Sequence, residues 1–207
     1  MSTSTSTGGR GPPVDHPPPP HSSHDSRGSP IDTLLVGASN MKRWTNFPKR
    51  LRNGHVKNVN LGIPGAQTAD FLQPAYLEKV YRYCPQTTIY MAGNNDLREG
   101  VHPMYLVQHI CQFIAHLQNT YLTCQVRAKI VVCSLIHSMD LQTAKEKRLI
   151  NGINRQLREF CQALNSDRVV FVNLNRGLLP EHFMRDGIHF NGAGYKHVYS
   201  RLVTHIA

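Results

Sequence analysis

The sequence predicts a parallel α/β fold, a sheet covered by helices on both faces, and two observations carry that prediction. From Asp32 onward, five apolar runs of strand length alternate with segments whose apolar residues recur at helical spacing. The runs are rich in branched aliphatic residues and near-continuous, as in strands buried on both faces. With 207 residues the chain suits one domain of ordinary size plus a tail.

Taken in order, residues 1–30 carry Ser, Thr, Gly, Pro and His and no core-forming pattern, with Pro17 to Pro20 favouring polyproline II. They are expected to form a disordered tail, and the folded domain to span 31–207. His16, His21 and His24 have no ordered scaffold on which to fix a metal. The first strand, 33–38, breaks after Val36 into Gly37, Ala38, Ser39 and Asn40. That places Ser39 at a strand's carboxyl end, where ligands bind in open α/β sheets. Further strands are expected over 56–61, 88–92, 129–135 and 169–174. Helices are expected over 69–83, behind a capping Thr68; over 104–121, with Leu106, Ile110, Phe113, Ile114, Leu117 and Tyr121; and over 143–164, with Leu149, Ile153, Leu157, Phe160 and Leu164. A last helix runs from about Gly192 to His205. Right-handed crossovers would join the strands in parallel.

No apolar run approaches the roughly 20 residues that span a bilayer, and residues 1–30 lack the apolar stretch of a signal peptide. The expectation is a soluble chain in the cytoplasm, with the nucleus as the alternative. Five cysteines, an odd number without a C-x-x-C pair, read as reduced core residues. The net charge is +10, and Arg10 and Arg27 of the tail are offset by Asp15 and Asp25. The excess therefore lies in the folded part, where it favours polyanionic partners or anionic substrates. Lys42, Arg43, Lys49, Arg50 and Arg52 follow Ser39 closely, and Arg148, Arg155 and Arg158 recur at helical spacing. His109 and His116 share a helix with no third ligand spaced to join them, so neither metal nor cofactor is expected.

Near the carboxyl terminus, Asp186 and His189 stand three apart on a loop before the last helix. A serine alcohol needs a base of suitable pKa, and the base needs a group that fixes its tautomer; His189 and Asp186 supply those roles. The second strand leaves through Asn60, Leu61, Gly62, Ile63, Pro64 and Gly65, whose exposed N–H groups can meet an anion. The third leaves through Gly93, Asn94, Asn95 and Asp96, with amide side chains at its carboxyl end. Together the two loops offer donors for an oxyanion hole.

With these blocks the sequence resembles the SGNH or GDSL-type hydrolases. Gly37 to Asn40 is similar to the family's first block, Asn60 to Gly65 to its second, Gly93 to Asp96 to its G-x-N-D third, and Asp186 to His189 to its D-x-x-H last, over about residues 32–207. The resemblance implies a flavodoxin-like three-layer fold with a five-stranded parallel sheet of order 2-1-3-4-5. It also implies a serine esterase acting on a small acyl or acetyl ester, with Ser39 as nucleophile, His189 as base and Asp186 as orienting acid. The N–H groups of Ser39 and Gly65 and the amide of Asn95 would form the oxyanion hole. One departure stands out: Ala38 replaces the family's aspartate, so the local loop should be looser or differently buttressed. The rival expectation is a catalytically weak module of the same fold. Its basic surface would hold nucleic acid or a protein, as in mobile-element or viral reading frames where such domains also occur.

Overall fold

In the computed structural model of the chain, residues 29–47, 50–51, 54–55, 57–164 and 166–206 are described. The expectations for residues 1–28, including the tail's histidines and prolines, lie outside them. Five parallel strands form the sheet: β1 (Ser29–Gly37), β2 (Asn58–Asn60), β3 (Tyr83–Met91), β4 (Lys129–Cys133) and β5 (Val169–Val172), in the order β2-β1-β3-β4-β5. This is the 2-1-3-4-5 order. Residues 50–51 and 54–55 pair as a separate antiparallel ribbon.

Strand residues alternate between two cores, which is why the strands read as continuous apolar runs. Leu34, Val36, Tyr90, Ile130 and Val132 face one core with Phe71, Phe113, Ile114 and Leu157. Leu35, Ile89, Met91, Val131 and Cys133 face the other with Met41, Trp44, Val198 and Leu202. The first core is covered by α2 (Pro74–Tyr81), α4 (Pro103–Thr123) and α5 (Ala144–Ala163), the second by α1 (Ser39–Arg43) and α6 (Gly192–Leu202). A short α3 (Asn94–Arg98) leaves β3. No disulfide joins the five cysteines; Cys133 and Cys161 are buried, where burial pushes their thiols up to about 12, whereas Cys84, Cys111 and Cys124 are only half-buried and so are not the core residues expected. Among the described residues no helix is long and apolar enough to cross a membrane, and no cluster of His, Cys, Asp and Glu could hold a metal.

Three of the differences from expectation concern the helix over 69–83, β3 and β2. The helix expected over 69–83 is a 3₁₀ turn, Thr68–Leu72, followed by α2. Pro74 lacks an N–H and disfavours helical backbone at the residue before it, and Gln73 is extended there (φ −64°, ψ 135°). Thr68 is not the cap, since Gln67 holds that place and the Thr68 hydroxyl turns inward to Asp96. β3 begins at Tyr83 rather than 88; Pro85 is tolerated because β3 has only β1 beside it until β4 joins opposite Thr87. β2 is short, but its pairing continues as Leu61 N–H donates to Leu35 (2.8 Å) and Ile63 N–H to Gly37 (2.9 Å), carrying the following loop to the end of β1. Val56 lies outside the described residues.

α5 starts on a capping box: Glu146 N–H donates to the Thr143 hydroxyl (3.2 Å) and Thr143 N–H to the Glu146 carboxylate (2.9 Å). Its buried face runs through Ile150, Ile153, Asn154, Leu157 and Cys161, so Leu149 is exposed and Ile150 takes its expected place. Asn154 is buried because its amide donates to Leu135 C=O (2.9 Å) and accepts from Leu135 N–H (2.8 Å) beyond the end of β4. Asn154→Ala leaves that N–H buried without a partner, while Asn175 still serves the carbonyl. The expected loss in urea unfolding is about 2 kcal/mol. A change below roughly 0.5 kcal/mol, the range of substitutions that touch nothing, would mean that the amide pin is dispensable.

Candidate active site

β1 and β3 end side by side, with Gly37 opposite Met91. A Cβ on Gly37 would overlap the Met91 carbonyl oxygen, which instead accepts from Ala38 N–H (3.1 Å). Ala38 then occupies the cap position of α1 and offers it no side-chain acceptor. Ser39 is the first helical residue, half-buried, with no hydrogen bond from its hydroxyl among the described residues. After β3, Gly93 takes a φ of +114°, which favours glycine, and turns the chain into α3. These two exits bring Ser39 and Asn95 to one crevice of about 20 Å³, walled also by Asn94, Arg98, Ile136 and Ile188. That is room for a single water-sized group.

The orientation of Asn95 is fixed from both ends. Its Oδ1 accepts from the Arg98 guanidinium (3.0 Å) and its Nδ2 donates to Ala66 C=O (2.9 Å), which leaves the second Nδ2 hydrogen without a partner among the described residues. Arg98 is held in turn by Asp140 in a bidentate ion pair and by the Ser138 hydroxyl (3.1 Å). The same contact with Arg98 helps to keep the Asp140 carboxyl below the usual range, against partial burial. Gly65 sits exposed at a turn with φ +75° and does not line the crevice, although Ala66 beside it is bound to Asn95. Behind that loop, the buried Asp96 accepts from the N–H and hydroxyl of Thr68, and the Thr68 hydroxyl also meets His109 Nδ1 (3.2 Å). Burial pushes the Asp96 carboxyl up, against the pull of Thr68. His109 thus belongs to a support of the loop, whereas His116 is exposed.

The carboxyl-terminal loop arrives preassembled. Asp186 Oδ2 meets His189 Nδ1 at 2.7 Å, and its Oδ1 accepts from the N–H groups of Ile188 and His189, both at 2.9 Å. The His189 N–H above all, then the His189 ring and the Ile188 N–H, hold the Asp186 carboxyl well below the usual carboxylate range. A charged carboxylate can only accept, so Nδ1 carries the proton and Nε2 is left as a base. The His189 side chain is 15% exposed and that of Asp186 42% exposed.

What joins this loop to the serine is Asn40. Its Nδ2 donates to Ile188 C=O (3.2 Å) and its Oδ1 accepts from Phe190 N–H (3.0 Å), so one amide grips the backbone on both sides of His189. The Asn40 carbonyl accepts from the Tyr195 hydroxyl (2.8 Å), a donor that burial pushes up to about 12. From the other side Asn60 donates to Met41 C=O (2.8 Å) and accepts from Gly62 N–H (2.9 Å), docking the second loop on α1. The structure therefore brings Ser39, Asn95 and the Asp186–His189 pair to one edge of the sheet. Among the described residues no hydrogen bond joins Ser39 to His189; in unliganded sites such contacts are often longer.

Sequence reasoning did not single out Asn40, Arg98 or Tyr195. Arg98 had a signal, since it lies three residues beyond Asn95 on a helix and so faces it. The basic residues divide: Arg158 lies over the Phe171 ring (5.2 Å), Arg155 pairs with Glu159 (3.9 Å), and Lys42 and Arg43 are exposed. The side chains of Lys49, Arg50 and Arg52 lie outside the described residues.

Among solved structures, the chain is similar to a member of the lipolytic G-D-S-L family from Veillonella parvula (TM-score 0.64, 13% identity, 84% of this chain and 97% of that one). It is also similar to a carbohydrate esterase family 3 protein from Talaromyces cellulolyticus (0.61, 17%, 85% and 98%). A third is Axe2-W215I, an acetyl xylan esterase from Geobacillus stearothermophilus (0.59, 17%, 88% and 97%). At these identities the likeness is one of fold. Comparison with curated proteins finds no match. The profile described as GDSL-like Lipase/Acylhydrolase family matches residues 26–197, through every block gathered at this edge, and the chain belongs to that family.

Proposed function

We propose that the chain is a serine esterase of small acyl or acetyl esters. The observation that carries this reading is the Asp186–His189 pair, gripped by Asn40 beside Ser39. The Ser39 hydroxyl attacks the ester carbonyl while its proton passes to His189 Nε2, and Asp186 balances the imidazolium charge at Nδ1. Negative charge then develops on the carbonyl oxygen, which the N–H of Ser39 and the Nδ2 group of Asn95 stabilise, while Gly65, outside the crevice, takes no assigned part. Collapse of this intermediate expels the alcohol, which takes the proton from His189 and leaves an acyl group on Ser39. Water, deprotonated by His189, then attacks the acyl-enzyme and releases the carboxylic acid, returning the proton to Ser39. The crevice has room for no more than a methyl-sized end of an acyl group, and the acetyl xylan esterase among the similar folds supports a short acyl chain.

A second reading rests on Ala38, which leaves α1 without a side-chain cap, and on the exposed Lys42 and Arg43: a weak esterase fold that binds nucleic acid. A fluorophosphonate probe separates the two. Labelling at Ser39 supports the esterase, whereas an unlabelled chain with salt-sensitive oligonucleotide binding supports the module.

Ser39→Ala and His189→Ala should each remove nearly all hydrolysis of p-nitrophenyl acetate while leaving the melting temperature in place, and the double variant should be no worse, because the pair acts as a unit. Wild-type rates in Ser39→Ala would refute the reading. Asn95→Ala should lower kcat by roughly 10² to 10³-fold with little change in KM. Arg98→Ala, which frees the Asn95 amide to rotate, should reproduce part of that kcat loss. A loss in KM alone for either variant would make Asn95 a ground-state contact.

A further inference from the structure

A cavity of about 680 Å³ shares no lining residue with the crevice, from which Asn40 separates it. It opens between the end of α1 and the start of α6, over an aromatic floor of Trp44, Phe190, Tyr195 and Tyr199, with Met184 at its side. The floor rings are engaged with one another. Trp44 stacks on Tyr195 (5.5 Å between centroids, 28° between planes) and meets Phe47 edge-on (4.9 Å), while Phe190 meets Tyr195 edge-on (5.7 Å). Trp44 and Phe190 are only 3% and 2% exposed. These two rings close the floor without offering a free face, which leaves the half-buried Tyr195 and Tyr199 as its accessible rings. An aliphatic body needs only apolar surface, and the flexible thioether of Met184, 46% exposed, can follow its shape.

The lining is charged with one sign. Arg43 and Lys196 are both exposed, and among the described residues no carboxylate lines the cavity. Among the described residues neither cation has an ion-pair partner; Arg43 reaches only the Met184 sulfur at 3.9 Å. Two unspent cations above an apolar floor in a cavity of drug-sized volume match a molecule with one anionic head and an aliphatic body.

We propose that this cavity binds a soluble medium-chain aliphatic carboxylate. The proposal does not depend on the esterase reading, because it uses neither Ser39 nor His189. Trp44 is the only tryptophan of the chain and forms part of the floor, so its fluorescence reports on the cavity directly. The full chain, and separately its Ser39→Ala variant, is titrated with decanoate, decanol and adenosine monophosphate, decanoate being kept below its micelle threshold. Titration calorimetry serves as a second readout. Saturable binding of decanoate to both chains is expected, roughly tenfold or more tighter than decanol, the worth of one charge-assisted contact. In the double variant Arg43→Gln, Lys196→Gln, whose melting temperature should be unchanged because both side chains are exposed, decanoate should fall to the decanol level. Absence of saturable decanoate binding by both readouts would overturn the proposal, as would equal affinity for decanol or an unaltered affinity in the double variant. Tighter binding of adenosine monophosphate would also overturn it, in favour of a nucleotide site.

Discussion

Asn40 directs both ends of one amide at the loop that carries His189, donating to Ile188 and accepting from Phe190 across a sequence separation of about 150 residues. Few single side chains can fix a peptide segment in both position and direction, and a primary amide does so because its donor and acceptor match the spacing of a strand-like backbone. The grip has a further consequence. Asn40 adjoins Ser39 in the first turn of α1, so the proposed nucleophile and base inherit one common frame. Ala38 supplies no side-chain support at this turn. The buttressing comes from the residue after the serine, reinforced by the Tyr195 hydroxyl beneath it.

The same device recurs along the carboxyl edge of the sheet, where strands end and their backbone groups lose ladder partners. Asn60 holds α1, Asn94 exchanges two bonds with Ile136 (2.7 and 3.1 Å), Asn154 does so with Leu135, and Asn175 accepts from His137 N–H (2.8 Å). Asn95 belongs to this set, and it lines the crevice together with Ser39. A rigid rim with an amide fixed beside the proposed nucleophile is what preorganised stabilisation of a developing charge requires, since nothing has to reorient during the reaction.

Much of this was legible in the sequence because it follows from local pattern. Buried parallel strands show as branched aliphatic runs, and the short Asp186-to-His189 spacing already lets the side chains meet. Less legible was anything decided by tertiary contact. An asparagine after a serine reads as a turn, and only the folded chain shows it reaching Ile188 and Phe190. The apolar periodicity of Phe71, Tyr76 and Val80 concealed the break that Pro74 imposes. In α5, the spacing of Leu149 from Ile153 pointed to a buried Leu149, whereas the buried face carries Ile150 with Asn154, whose amide reaches Leu135.

If Asn40 sets the frame shared by Ser39 and His189, its removal should slow serine chemistry without unfolding the domain. The direct measurement is the second-order rate of Ser39 labelling by a fluorophosphonate in Asn40→Ala against the parent chain, with melting temperatures taken alongside. A misplacement of about 1 Å costs on the order of 10² in rate, and a fall of that size in a folded Asn40→Ala chain is the predicted result. Labelling at the parental rate would contradict the account, because the base would then be positioned by something other than this amide.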